Sequence, residues 1–359
     1  MDLTLTDDQE LIRRTAREVL GNRPPGTEWD EALWKEMAEL GWTGLAVPEA
    51  HGGVGEGFLE ACLLIEEMGA AQVPGPFLAT VACCAPAVER FGTGEQRDRW
   101  LGAIAGGRVL SYAGGWGTGP TPTASVNGAA WRLDGTARFV PFAHVAEDVL
   151  VLADVAGAGP TAFLVDGASP GLDRERLDVV GPGAEHDLTF SSVEVPADRV
   201  LGDVGGGAAV ATVADAFGAA ATCAEMVGGA QRVLDTTVEY AGQRTQFGRP
   251  IGSFQAVQHH CADMAIDVLT ARLIAYEAIW RLTAPGQEPG YVALTVAVAK
   301  AWASEAYQRV CALGHQVHGA IGFTAEHDMH RYLRHATAAA LAFGDGDVHT
   351  ERVAHGIGL

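Results

Sequence analysis

Basic residues are scarce in this sequence: 24 lysines and arginines stand against 45 aspartates and glutamates, a formal net charge of −21. No Lys/Arg-rich stripe interrupts that balance, so a nucleic-acid backbone or an anionic membrane surface would be repelled rather than steered. Cysteine pairs at metal or redox spacing are missing too. The six cysteines, at 62, 83, 84, 223, 261 and 311, form no CxxC and fall mostly in apolar helical stretches, which reads as buried thiols in a reducing cytosol. His259-His260 with Cys261 and Asp263 diverge around a helix and assemble no local four-ligand set, so no metal is expected. No stretch reaches the roughly 18 apolar residues of a membrane span, and the opening Met1-Asp-Leu-Thr-Leu-Thr lacks both parts of an export signal. The expectation is a soluble cytoplasmic chain. With 48% apolar and 19% charged residues over 359 positions, disorder as the main state is excluded, and the length fits two or three folding units sharing one core.

The hydrophobic period changes twice along the chain. Thr6-Asp7-Asp8-Gln9 is a capping box ahead of apolar residues at helical spacing, and Leu33–Gly41 forms a second helix closed by a glycine. A loop with Pro48 and Gly52-Gly53 follows, then helices at about 57–70 and 78–91. From about 107 the pattern becomes two-residue alternation around Leu133, Val140, Val149–Ala153, Ala162–Val165 and Leu188–Val195, separated by Gly/Pro/Asp turns. Long helical stretches return at 207–242, 253–282, 290–318 and 325–341. The fold expected is mainly α with a central antiparallel β domain: helices over 1–106, sheet over 107–202, a four-helix unit over 203–359.

The segment Tyr240-Ala-Gly-Gln-Arg-Thr-Gln-Phe-Gly-Arg-Pro-Ile-Gly-Ser-Phe-Gln-Ala-Val-Gln258 is the most specific. A helix ends near Arg244, Gly248 and Pro250 turn the chain, and Ser253 is placed to cap the next helix, so Arg244 and Gln246 project from a rigid corner. An arginine fork donates two parallel charge-assisted bonds and suits a pyrophosphate. The segment closely resembles the signature of the acyl-CoA dehydrogenase family. Leu45-Ala-Val-Pro-Glu-Ala-His-Gly-Gly53 and Gln316-Val-His-Gly-Ala-Ile-Gly-Phe-Thr324 extend the resemblance over almost the entire chain.

The resemblance implies an FAD enzyme in which Arg244 reaches the FAD pyrophosphate of a neighbouring subunit, with Gln246 beside it and Phe247 along the cofactor. It places Gln316 and Gly319 on the adenine and ribose side. Around the flavin ring the family pattern is altered. The first ring loop reads Tyr112-Ala-Gly-Gly-Trp116-Gly-Thr-Gly-Pro120, with Trp116 as a cofactor contact. At the second element Phe139 stands where Trp is usual, either stacking on flavin or serving as a core aromatic. Pro141 stands where a hydroxyl would serve flavin N5, and proline has no donor to offer.

The family's catalytic carboxylate takes the proton next to the thioester. Its position matches Phe343 or Asp345 in one lineage and Gly218 in another, and a neighbouring arginine position is Ala219. Two acids are candidates for the role: Asp345, otherwise a turn aspartate, and Glu225, otherwise a helix-to-helix hydrogen bond. Three functions follow from the resemblance. The first is an FAD-dependent dehydrogenase acting on an acyl thioester, carried on CoA or a carrier protein, in lipid metabolism, with an electron-transfer flavoprotein as acceptor and a homo-oligomeric assembly. The second is a subunit completing the FAD site of a homologous partner in an α2β2 heteromer. The third is a flavin monooxygenase on the same fold.

Overall fold

The computed structural model describes residues 4–21, 23, 28–114 and 121–359. The amino-terminal region comprises α1 (Asp7–Gly21), α2 (Glu31–Glu39), α3 (Phe58–Ala71), a π-helical turn at Leu78–Cys84, α4 (Ala85–Phe91) and α5 (Gly94–Ala105). The capping box at Thr6 forms in both directions, Thr6 N to Gln9 Oε1 at 3.0 Å and Gln9 N to Thr6 Oγ1 at 3.2 Å. A helix absent from the sequence reading, α5, has the same device at Thr93 and Gln96.

Between the helical regions lie β1 (Leu110–Ala113), β2 (Thr123–Asn127), β3 (Ala130–Pro141), β4 (Asp148–Val155), β5 (Gly159–Asp166), β6 (Leu172–Arg176), β7 (Glu185–Pro196) and β8 (Val200–Leu201). They form one sheet in the order β6-β7-β3-β2-β4-β5-β8, with β1 also on β4. The sheet is mixed rather than antiparallel as expected, because β1 and β2 both run parallel to β4. Those two strands carry too little alternation to be read from sequence. The ladder from β3 to β7 is antiparallel, sets Pro141 opposite Glu185, and slips between Ala137 and Val140. Phe139 lies in that slip with φ 55°. Bulges of this kind re-aim a side chain beside a site.

The carboxy-terminal region is α6 (Gly207–Gln243), a two-strand hairpin β9 (Thr245–Gln246) and β10 (Arg249–Pro250), then α7 (Gln255–Thr283), α8 (Pro289–His318), α9 (Met329–Leu341) and α10 (Gly346–Gly356). Helix α6 is, by length and composition, apolar enough to cross a membrane, which the sequence reading had denied of every stretch; 61% of its most apolar stretch is buried inside the fold. It packs against α3, α7 and α8, and its small residues let the backbones close in. A Cβ on Gly69 of α3 would lie 2.0 Å from the Glu225 carbonyl, and one on Gly228 of α6 would lie 1.8 Å from the Glu66 carbonyl. Only glycine fits at this crossing, and the crossing brings Glu225 and the end of α3 to one place.

Candidate active site

A cavity of about 330 Å³ opens where the three regions meet. The end of α3 and the π-turn supply Gln72, Leu78, Ala79 and Cys83; the sheet supplies Tyr112, Phe139, Pro141 and Glu185; α6 and α9 supply Thr222, Glu225 and His335. Phe343 closes it beyond α9.

Two of the positions that the resemblance matches to the base, Gly218 and Phe343, meet each other here, Asp345 being the alternative to Phe343. A Cβ on Gly218 would lie 2.4 Å from two ring carbons of Phe343 and 2.8 Å from Cys83 Sγ. The ring therefore occupies the volume a side chain at 218 would need, and neither position carries a carboxylate. Phe343 is held firmly, with φ 58°. The buried Lys300 ammonium donates to Ala340 O at 3.0 Å, Gly344 O at 3.1 Å and Ser304 Oγ at 3.1 Å, fastening the end of α9 to the turn that carries the ring. Burial brings the Lys300 ammonium down to about 8.

Asp345 does not stand in a flexible loop, as the sequence suggested. Its carboxylate caps α10, accepting from Val348 N at 2.9 Å, and it is not among the residues lining the cavity. Gly-Asp-Gly-Asp reads as a turn by composition, yet an aspartate three residues before a free backbone N–H is an equally good helix cap.

Glu225 does line the cavity, with its side chain 28% exposed and Oε2 at 3.4 Å from His335 Nε2. The proton on that histidine can be located. Gln72 Nε2 donates to Gly69 O at 2.8 Å, which fixes the amide orientation, and the same nitrogen lies 3.1 Å from His335 Nδ1. Nδ1 is then the acceptor, also for the Tyr307 hydroxyl at 3.2 Å, and the neutral ring carries its proton on Nε2, facing Glu225. Glu225 thus contacts α9 through His335 and presents its carboxylate to the cavity. Seven residues separate it from Gly218, roughly 10 Å along the helix.

Glu185 is the site residue that sequence reading missed. Its Oε2 is sealed from solvent with no hydrogen-bond partner among the described residues, and burial pushes the carboxyl up to about 8. The alternation along β7 separates Glu185 from the core-facing His186, Leu188 and Phe190, but nothing local says that helices roof that face. A pH effect follows. The unfolded carboxyl releases its proton near its ordinary 4.5, the folded one near 8, so the stability tied to this proton is complete below 4.5 and is lost as pH rises to 8. Glu185→Gln is expected to be nearly neutral at acidic pH and stabilising by up to about 5 kcal/mol above pH 8. Thermal melts of both proteins across pH check it; a constant difference would contradict it.

The remaining predicted contacts gather at the far end of the helical region. Arg244 caps α6 in extended conformation. Phe247 and Gly248, with φ 54° and 79°, make the two-residue turn between β9 and β10, in the sense that hairpins favour. Phe247 is 94% exposed at its tip. Tyr240 stacks on His318 with ring centroids 4.4 Å apart, which ties this corner to the end of α8, where Gln316 and Gly319 are exposed. Gly319 adopts φ 65° and ψ −143°, a conformation open essentially to glycine alone. Ser253 does not cap α7; its hydroxyl donates to Pro250 O at 2.7 Å and Phe254 takes the cap position. Phe139 lines the cavity as expected of a ring contact, with Arg138 over its face at 4.9 Å. Trp116 lies outside the described residues.

The candidate site thus has two parts: an exposed arginine–aromatic hairpin at one end of a bundle, without side-chain partners for Arg244 among the described residues, and an apolar cavity beside a sheet at the other. Comparison gives the chain a family. Acyl-CoA dehydrogenase, N-terminal domain, matches residues 6–108, and Acyl-CoA dehydrogenase, C-terminal domain, matches residues 205–358. The chain belongs to the acyl-CoA dehydrogenase family. It is 35% identical over 332 residues to acyl-CoA dehydrogenase FadE27 of Mycobacterium tuberculosis, covering 90% of this chain and 87% of that protein. Butyryl-CoA dehydrogenase from Megasphaera elsdenii superposes with a TM-score of 0.92 at 27% identity, over 99% of this chain and 100% of that one. A chain of the ChsE4-ChsE5 complex from Mycobacterium tuberculosis superposes at 0.88 and 30% identity, over 99% of each chain. The protein is thus a flavoprotein oxidoreductase with FAD as its cofactor. The residues present fit that group: Arg244 supplies an uncommitted guanidinium for the diphosphate, and the cavity holds the orphaned Glu185 Oε2 beside the aromatic Phe139.

Proposed function

We propose that the chain serves FAD-dependent dehydrogenation of an acyl thioester as one of two homologous subunits, with the proton-abstracting carboxylate provided by its partner. The observation that carries this is the Phe343 ring seated on Gly218, which fills the base site with hydrocarbon at both family positions. Arg244, Gln246, Phe247, Gln316 and Gly319 are exposed at the opposite end, as donors across an interface would be. FAD supplies the hydride acceptor when bound, and an electron-transfer flavoprotein is the expected onward carrier. In this chain Arg244 would grip the diphosphate of an FAD whose ring lies in the partner's cavity, Phe139 would support a ring bound in this chain's own cavity, and Phe343 fills the base site there. The likeness to a chain of a two-component complex supports the heteromer.

A second reading is favoured by Glu225 and its proton-bearing neighbour His335: a homo-oligomer catalytic by itself, with Glu225 as base. The test is expression of the chain alone and with a homologous chain encoded beside it, following flavin content and bleaching by acyl thioesters. Bleaching only by the mixed assembly, unaffected by Glu225→Gln here and abolished by removing the partner's base, is the expected result. Full turnover by this chain alone, falling about 100-fold or more in Glu225→Gln, would establish the second reading.

A further inference from the structure

One strand of this sheet departs from the pattern the family resemblance implies, and its neighbour sets a carboxyl directly opposite. Pro141 on β3, where a hydroxyl is usual, has no donor, and its carbonyl is already taken by the Ser111 hydroxyl. Its direct antiparallel partner on β7 is Glu185, a carboxyl lining the same cavity with a sealed, unpartnered oxygen.

The other polar side chains around the cavity are largely committed. Tyr112 donates to Asp215 Oδ1 at 2.8 Å, Thr222 to Gly218 O at 2.9 Å and Thr337 to Leu333 O at 2.9 Å. Gln72 gives its amide protons to Gly69 O and His335, and the histidine faces Glu225. Among the described residues, a planar ligand entering between Phe139 and the helices thus meets one uncommitted group at the sheet end, the Glu185 carboxyl. An unpaired ionised carboxylate would be costly there, whereas a protonated one is a hydrogen-bond donor.

We propose that Glu185 binds the flavin ring, its carboxylic acid O–H donating to the ring's acceptor edge across the strand pair from Pro141. The donor has moved from one strand to its neighbour, and the ligand chemistry it recognises is an unprotonated ring nitrogen or carbonyl. This assignment rests on the reading of the cavity as the flavin site. The upward displacement of the carboxyl to about 8 keeps the proton in place at neutral pH.

The test uses the FAD-loaded assembly without substrate, comparing wild type, Glu185→Gln and Glu185→Ala by equilibrium dialysis of FAD and by the fine structure of the flavin absorption band. The expected result is about a tenfold weaker FAD affinity and an altered band in Glu185→Ala, with Glu185→Gln, which keeps a donor, within twofold of wild type. Thermal melts of the apoproteins confirm folding. Flavin affinity and band unchanged in both variants overturn the assignment, and weakened binding of a non-oxidisable thioester analogue that keeps the carbonyl in Glu185→Ala alone would then give the donor to the substrate carbonyl instead. A wild-type assembly that takes up no flavin overturns the reading of the cavity as well.

Discussion

Gly218→Ala is expected to destabilise the protein by roughly 2–3 kcal/mol, the upper range for forcing an atom into a packed site. The added Cβ would sit 2.4 Å from the Phe343 ring and 2.8 Å from Cys83 Sγ. Neither neighbour yields easily: Cys83 is buried in the π-turn, and Phe343 is pinned by the Lys300 bonds to Ala340 and Gly344. Phe343→Ala empties part of the same volume and is expected to cost about 2–3 kcal/mol, below the full range for a core phenylalanine because the ring also borders the cavity. The informative protein is the double variant. In Gly218→Ala/Phe343→Ala the closer clash, with the ring, is gone and only that with Cys83 remains, so the two losses should fall short of additivity by at least about 1 kcal/mol. Urea midpoints of the four proteins measure this. Additive losses would mean that the ring does not rest on the glycine and would remove the main support for a base site closed by hydrocarbon.

Arg244→Ala is expected to weaken FAD binding in the assembled protein by about 10- to 100-fold, the scale of a charge-assisted hydrogen bond lost to a diphosphate. Its side chain makes no hydrogen bond or ion pair to another described residue, so the melting temperature of the apoprotein should stay within about a degree. Arg244→Lys should recover only part of the affinity, since an ammonium is a point charge and cannot present the paired donors of the fork. Equilibrium dialysis of FAD against the oligomer reads all three proteins. Equal flavin retention in Arg244→Ala would separate this corner from the cofactor and leave the exposed hairpin without its assigned role.

The boundaries of the long helices were legible because each carries its own signals. The Thr6–Gln9 box, Gly41 with φ 76° and the Phe247-Gly248 turn are all set by residues a few positions apart. Helices α5 and α10 escaped because short amphipathic segments next to Gly and Asp read as turns. The short strands β1 and β2 escaped because β1 is buried at all but its last residue and β2 is exposed at all but Ala124, so neither presents an alternating face. The hydroxyl of Ser253 was assigned to the wrong turn by one position, which is all that separates a helix cap from the closing of the preceding turn.

The sequence by itself determined the family, the helix–sheet–helix order and the exposed corner that carries Arg244, since a contiguous motif keeps its local geometry wherever the chain is folded. It also showed that both base positions and the ring-edge hydroxyl were missing. What replaced them was decided only by tertiary structure. Gln72 meets His335 from 263 residues away, Phe343 meets Gly218 across the helical region, and Glu185 meets Pro141 through strand register. A side chain's chemistry depends on which distant groups remove its water. The orphaned oxygen of Glu185 and the aromatic plug on Gly218 came into existence only when the sheet and the helices closed around one cavity.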